Sequence, residues 1–308
     1  LRSLPFLGAD LQHALQGVGA QGPARLSTRW NGGWQTLVQQ LQATSAGAAR
    51  PTDQERFDLQ ATLSTAQLDL TLPSAAGADA ARQALQLRAV QAELSGNLGQ
   101  ASLALSAELR SPAPRAVQAA LQARISGGLV AAGQWRAQIN HLRLQAQPGP
   151  PAAGQNSPPP GPPWALQLVE PLRISVHGAA PQAGASAHSA PPPAFRLETS
   201  AGQARLTGPL PGTVALRWQP LRWSGGAGAP PQLQTQGTLQ GLPMAWVDAL
   251  DTLGPGTPPA GSPAQPLLAR MGLASDIVLD GQWNVERRAG LRASASLRRA
   301  SGDLRILT

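Results

Sequence analysis

Leu103-Ala104-Leu105-Ser106-Ala107-Glu108-Leu109 decides the fold, because an aliphatic residue returns at every second position. A period of two does not suit a helix with 3.6 residues per turn. It matches a pleated strand, whose successive side chains leave on opposite faces. The segment therefore predicts a strand with one apolar face. The same period recurs in Leu68-Asp69-Leu70-Thr71-Leu72 and in Ile277-Val278-Leu279-Asp280-Gly281-Gln282-Trp283. It also marks 85–94, 117–125, 135–144, 164–168, 172–176, 195–199, 214–218, 233–239, 291–297 and 304–307. Clusters of Gly, Pro and Ser separate these runs, as hairpin connections require. The segment 117–125 also suits a helix, since Val117 and Leu121 stand four apart. Within 85–94 the apolar phase slips from Leu85, Leu87 and Ala89 to Val90, Ala92 and Leu94, a bulge-like change that leaves the inward face open.

Helices are expected at few places. Leu242 to Leu250 carries Pro243 in its first turn with apolar residues at helical spacing, and Leu4-Pro5-Phe6-Leu7 is similar. Both are about two turns long and suit end plugs or corner pieces. Four Pro/Gly-rich stretches, 147–163, 179–193, 224–231 and 254–266, cannot pack a core and are expected as loops inserted in a continuing sheet. The expected organisation is a first half over 1–146, a Pro-rich insertion over 147–163, and a second half over 164–308. The chain opens at Leu1 without Met and ends in a strand-like pattern, so a piece of a longer protein is expected.

Composition narrows the chemistry. Of 308 residues, 42% are hydrophobic but only 4% aromatic, so the apolar surface is soft and aliphatic. Charged residues make up 13%, about half the usual share. The net charge of +8 comes from Arg alone. Arg25, Arg88, Arg143, Arg173, Arg217 and Arg287 stand singly in separate segments, whereas a nucleic-acid face clusters its cations. The one dense group, Arg287, Arg288, Arg292, Arg298 and Arg299, reads as a solvated outer face. No nucleic-acid partner is expected. Cysteine is absent, which removes disulfides, thiol nucleophiles and thiolate metal sites. No apolar run reaches the length of a transmembrane helix, and no signal peptide is visible.

No catalytic constellation emerges. His13, His141, His177 and His188 lie far apart, without metal-ligand spacing. No Gly-rich phosphate loop or nucleophile elbow occurs, and Asp69, Asp280 and Asp303 alternate outward from strands. Neither an enzyme nor a cofactor or metal site is expected. Trp30, Trp34, Trp135, Trp164, Trp218, Trp223, Trp246 and Trp283 fall at strand starts or beside turns, where sheet-edge packing accounts for them. The remaining feature is the aliphatic stripe itself. Its period fits the core of a closed sandwich or an open groove for acyl chains, because both bury the same face.

Longer motifs carry a resemblance. Gly241-Leu242-Pro243-Met244-Ala245-Trp246-Val247-Asp248-Ala249-Leu250, then Gly281-Gln282-Trp283, then Ala300-Ser301-Gly302-Asp303-Leu304 closely resemble the TamB family of the AsmA-like superfamily. Upstream, Trp30-Asn31-Gly32-Gly33-Trp34, Trp135 with Leu142-Arg143-Leu144, and Trp164-Ala165-Leu166-Gln167-Leu168 before Pro171-Leu172 fit the same rhythm. The likeness spans nearly the whole chain. It implies an all-β fold: a long, curved, open β-sheet trough, taco-like, with an apolar interior, one or two short helices and Pro/Gly-rich loops. It further implies a periplasmic segment of a protein anchored in the inner membrane of a Gram-negative bacterium. Bulk phospholipid transfer toward an Omp85-type outer-membrane partner would follow, the partner being met by parts outside this chain.

The stripe then assigns a groove for phospholipid acyl chains. Leu68, Leu70, Leu72, Leu103, Leu105 and Leu109 would line its first half, with Ile139 at the centre. Leu166, Leu168, Ile174, Val214 and Leu216 would continue it, and Ile277, Leu279, Leu304 and Ile306 would end it. The alternative is a scaffold that assists outer-membrane protein assembly by pairing its sheet edges with unfolded strands.

Overall fold

The computed structural model describes residues 19–32, 58–72, 83–111, 117–131, 133–148, 161–178, 195–226, 229–246, 249, 267–288 and 290–307. The expected helix near Leu4, His13, Trp34, His188 and most of the Pro/Gly-rich stretches lie outside these residues.

Two short strands, β1 (Gly19–Gln21) and β2 (Arg25–Asn31), share the outer edge of one long strand, β3 (Asp58–Leu72). Then come β4 (Gln83–Asn97), β5 (Ala101–Ser111), β6 (Val117–Ala131) and β7 (Gln134–Pro148), each antiparallel to the one before. The helical option for 117–125 gives way to a strand. In β6, Ala119, Leu121, Ala123 and Ile125 stand opposite Leu109, Ala107, Leu105 and Leu103, so the alternation outweighs the spacing of four.

The next three rungs are broken in the middle. β8 (Trp164–Leu168) and β9 (Leu172–His177) run end to end along the free edge of β7. β10 (Phe195–Thr199) and β11 (Gly202–Thr207) lie along β9 and β8, and β12 (Thr213–Trp218) and β13 (Arg222–Gly226) lie along β11 and β10. The long β14 (Ala229–Pro243) rejoins both halves. Pro171 and Pro220 sit in two of the breaks, where a residue without N–H cannot serve a ladder. The pairing is repaired locally. Ser200 Oγ accepts from the Arg173 N–H at 3.1 Å and Thr199 Oγ1 from the Leu221 N–H at 3.3 Å. The Val169 N–H donates to the Gln203 carbonyl at 2.9 Å.

Beyond β14 the chain forms a short helix, α1 (Leu267–Arg270), then β15 (Leu273–Ser275), β16 (Val278–Arg287) and β17 (Leu291–Ser301), and ends in β18 (Leu304–Ile306). β16 and β17 complete a 16-stranded antiparallel sheet, while β15 and β18 form a separate two-stranded sheet. A short hydrogen bond of 2.6 Å from the Asp303 N–H to Asp276 Oδ1 ties that pair to the end of β17. Chiefly through this bond, and with Arg305 nearby, the Asp276 carboxyl is held below its usual pKa. No pairing joins β17 to β1 or β2, so the sheet is open rather than a closed barrel.

One expectation changes. Residues 224–231, expected as loop, supply the ends of β13 and β14, with Gly226 opposite Ala229, so the Gly and Pro residues serve a tight hairpin. Across the stretch 147–163 the sheet continues, with 143–146 of β7 paired directly to 164–167 of β8. Among the described residues, no helix is long and apolar enough to cross a membrane.

Candidate functional site: a continuous apolar face

Cross-strand register shows which side chains share a face, since directly opposed residues point to the same side. One row begins with Leu26, Leu63, Ala92, Leu105, Ala123 and Leu142. It passes the Arg143 and Gln167 pair to Leu168 and continues through Ala204, Leu216, Leu239, Gly281 and Leu297. Large and small residues mostly alternate along it, and none is polar. At a strand spacing of about 4.8 Å the row extends about 50 Å, longer than the ~30 Å hydrocarbon core of a bilayer. A parallel row carries Ala107, Leu121, Leu144, Leu166, Leu206 and Val214.

The face stays apolar only because the strands correct their phase. In β4, Ala89 has φ 47°, and the register with β5 shifts between Arg88 and Gln91. Two β4 residues thus oppose Ala107, which puts Leu87 and Ala92 on one side despite their odd separation. β7 does the same at Asn140, whose side chain donates to Ser126 Oγ at 2.8 Å. Ile139 and Leu142 consequently share the face. The opposite side is polar: Gln122 and Arg124 are exposed, whereas Ala123 between them is buried.

Cover over the apolar face is local. After Pro243 the chain turns at Met244 and Ala245 and is helical at Trp246 and Ala249. The Trp246 ring, 1% exposed, stands edge-on to Trp164 at 5.0 Å, and its Nε1–H donates to the Leu210 carbonyl at 3.2 Å. Trp164, Val214, Trp246 and Ala249 form a buried cluster with Leu206, Leu216, Leu239 and Leu242 packed around it. Away from this plug the face opens. Leu26 and Leu297, at the two flanks, are 66% and 63% exposed, and Leu63, Trp135, Leu144 and Trp223 are exposed between them. Trp218 and Trp283 lie flat across Gly202 and Gly237, where a Cβ would collide with each indole ring. Trp283 sits in mid-strand rather than at a strand start. Two shallow hollows of about 540 and 650 Å³ follow the sheet, the first across β12, β14, β16 and β17 and the second across β3 to β7.

The expected groove residues distribute unevenly. Leu68, Leu103, Leu105, Leu109, Ile139, Leu166, Leu168, Ile174 and Leu216 fall on the one apolar face. Val214 lies on that side too but is 0% exposed in the buried cluster, so nothing can slide over it. Leu279 stands opposite Leu242 and Arg299 at the end of the face. Ile277 precedes β16, its carbonyl accepting from the Met244 N–H at 2.8 Å. Leu304 and Ile306 belong to β18, off the long sheet. Leu70 and Leu72 are described by backbone register alone, opposite Leu85 and Gln83. His141 opposes Arg124 and His177 opposes Arg196, and among the described residues no group of His, Asp or Glu could hold a metal ion.

The part that sequence reasoning missed is the small residues of the floor. Gly202, Ala204, Gly237 and Gly281 give little periodicity signal, yet they are the low points between Leu and Trp. Comparison with protein-family models, with curated proteins and with solved structures returns no match to this chain.

Proposed function

We propose that the apolar face is a track for phospholipid acyl chains, within a bridge that moves lipid between the inner and outer membranes. One observation carries the reading: a row of aliphatic and small residues crosses twelve strands without a polar side chain, exposed at Leu26, Leu63 and Leu297, buried at Ala123 and Ala204, and half-buried between them. Exposing a sixteen-carbon chain to water costs on the order of 12 kcal/mol at roughly 0.8 per methylene, so any gap in such a floor would stop transfer. Headgroups can remain in water at the lip, which requires no specific polar site. The placement between membranes, the inner-membrane anchor and the Omp85-type partner rest on the resemblance to the TamB family.

A photo-crosslinker at Leu105 tests the track against one at Ala104, its neighbour on the opposite face. Lipid adducts at position 105 alone are expected, and equal labelling at both positions sinks the reading. Leu105→Asp should abolish copurified phospholipid in native mass spectra while the circular dichroism of the strands persists.

A second reading, assembly of outer-membrane proteins by strand addition, is favoured by one observation: among the described residues, the eleven-residue β17 is paired along one edge only. Crosslinks from that edge to nascent barrel strands, with none to lipid at position 105, would select it.

A further inference from the structure

Every described arginine is exposed except Arg88 and Arg110, which are half-buried. Their Nε atoms are buried and meet no acceptor. The two stand on adjacent strands of the polar face. Arg88 opposes Glu108, and Arg110 opposes Gln86 on one side and Gln118 on the other, so the pair are diagonal neighbours about 7–8 Å apart at the backbone. Arg88 directly precedes the bulge at Ala89, a non-glycine residue at positive φ, the kind of irregularity that re-aims a side chain. Among the described residues, Glu108 makes no ion pair with either guanidinium. Arg88 Nη2 donates at 3.5 Å to Gln86 Oε1, which leaves the Gln86 amide NH₂ as a further donor.

We propose that Arg88 and Arg110 receive one phosphate-type oxyanion on the polar face, opposite the acyl track and independent of it. Each guanidinium presents a two-donor edge through Nε–H and one Nη–H, the edge that pairs bidentately with anions. Two such edges directed at one guest fill all four lone-pair positions of a carboxylate, whereas a phosphate meets them with three oxygens and more than one negative charge. Glu108 opposes binding by its charge, and this makes its removal informative.

The test reads arginine Nε–H resonances of the whole chain by ¹H–¹⁵N NMR, with the Arg88 and Arg110 signals assigned through Arg88→Gln and Arg110→Gln. Inorganic phosphate is titrated in one arm and phosphatidylglycerol vesicles in the other. Saturable shifts at Arg88 and Arg110, with Arg205 unmoved, support the site. Response to phosphate identifies a free anion as sufficient, and response to vesicles alone identifies a lipid headgroup. The double variant should bind about tenfold more weakly or worse, and Glu108→Gln should bind more tightly. No shift in either arm, or equal shifts at Arg205, overturns the proposal. Unchanged strand content in the circular dichroism of the double variant separates lost binding from lost fold.

Discussion

From β3 to β7 and from β8 to β13 the sheet keeps its apolar residues on one side by different means. The first region uses long strands and inserts single residues, at Ala89 and Asn140, to restore phase. The second cuts each strand in two, at 169–171, 200–201 and 219–221, and restarts the alternation on the correct side. Burial differs in parallel. Of the buried residues the first region holds Thr65, Val90, Ala123 and Gly128, scattered over three strands, whereas in the second Trp164 and Val214 join Trp246 and Ala249 in one cluster. Broken strands go with a packed cluster, and long strands with a half-buried floor. A ladder of eleven to fifteen residues holds its neighbours by main-chain bonds and cross-strand pairs, while five- and six-residue strands depend on added side-chain burial.

The largest expected effect breaks this contrast at its anchor. Trp246→Ala removes the ring that meets Trp164, and comparable core truncations cost about 3–5 kcal/mol. Denaturant unfolding should report that loss, and hydrogen exchange should place the gain in opening at β8 and β11 to β14 while β3 to β7 stay protected. Uniform loss of protection would mean the two regions are one cooperative unit. A smaller effect is expected of Gly237→Ala, whose Cβ must displace the Trp283 ring: about 1–3 kcal/mol of destabilisation, with a red shift of tryptophan emission as the indole lifts from the backbone. The smallest has the opposite sign. Ala89→Gly relieves positive φ at the bulge and should stabilise by about 1 kcal/mol or less, whereas Ala89→Val should destabilise, both read from unfolding midpoints.

Much of this fold is legible in the order of the amino acids. The slip from Leu87 to Val90 announces a bulge, and Pro171 and Pro220 mark strand ends. Pro243 opens the segment that becomes the plug. What escapes such a reading has identifiable causes. β11 gives no clear strand signal, because Gly202 and Ala204 are too small to register as an apolar face until Leu168 and Trp218 flank them. Residues 224–231 read as loop because Gly and Pro serve hairpins and loops alike. Leu304 and Ile306 repeat the apolar alternation yet leave the sheet, since the turn at Gly302 and Asp303 sends them to β15.

Alternation is a chain-local property: pleating throws neighbouring side chains to opposite faces whatever lies beside the strand, so the amino-acid order alone determined that this protein is built from one-sided strands. Which strands abut, and whether a lid covers the exposed side, depend on hydrogen bonds and ring contacts between residues far apart in the chain, such as Trp164 with Trp246 and Trp135 with Val176. Those partners meet only once the sheet is assembled, and that assembly joins the separate stripes into one face, packed at the plug and most exposed at its two flanks.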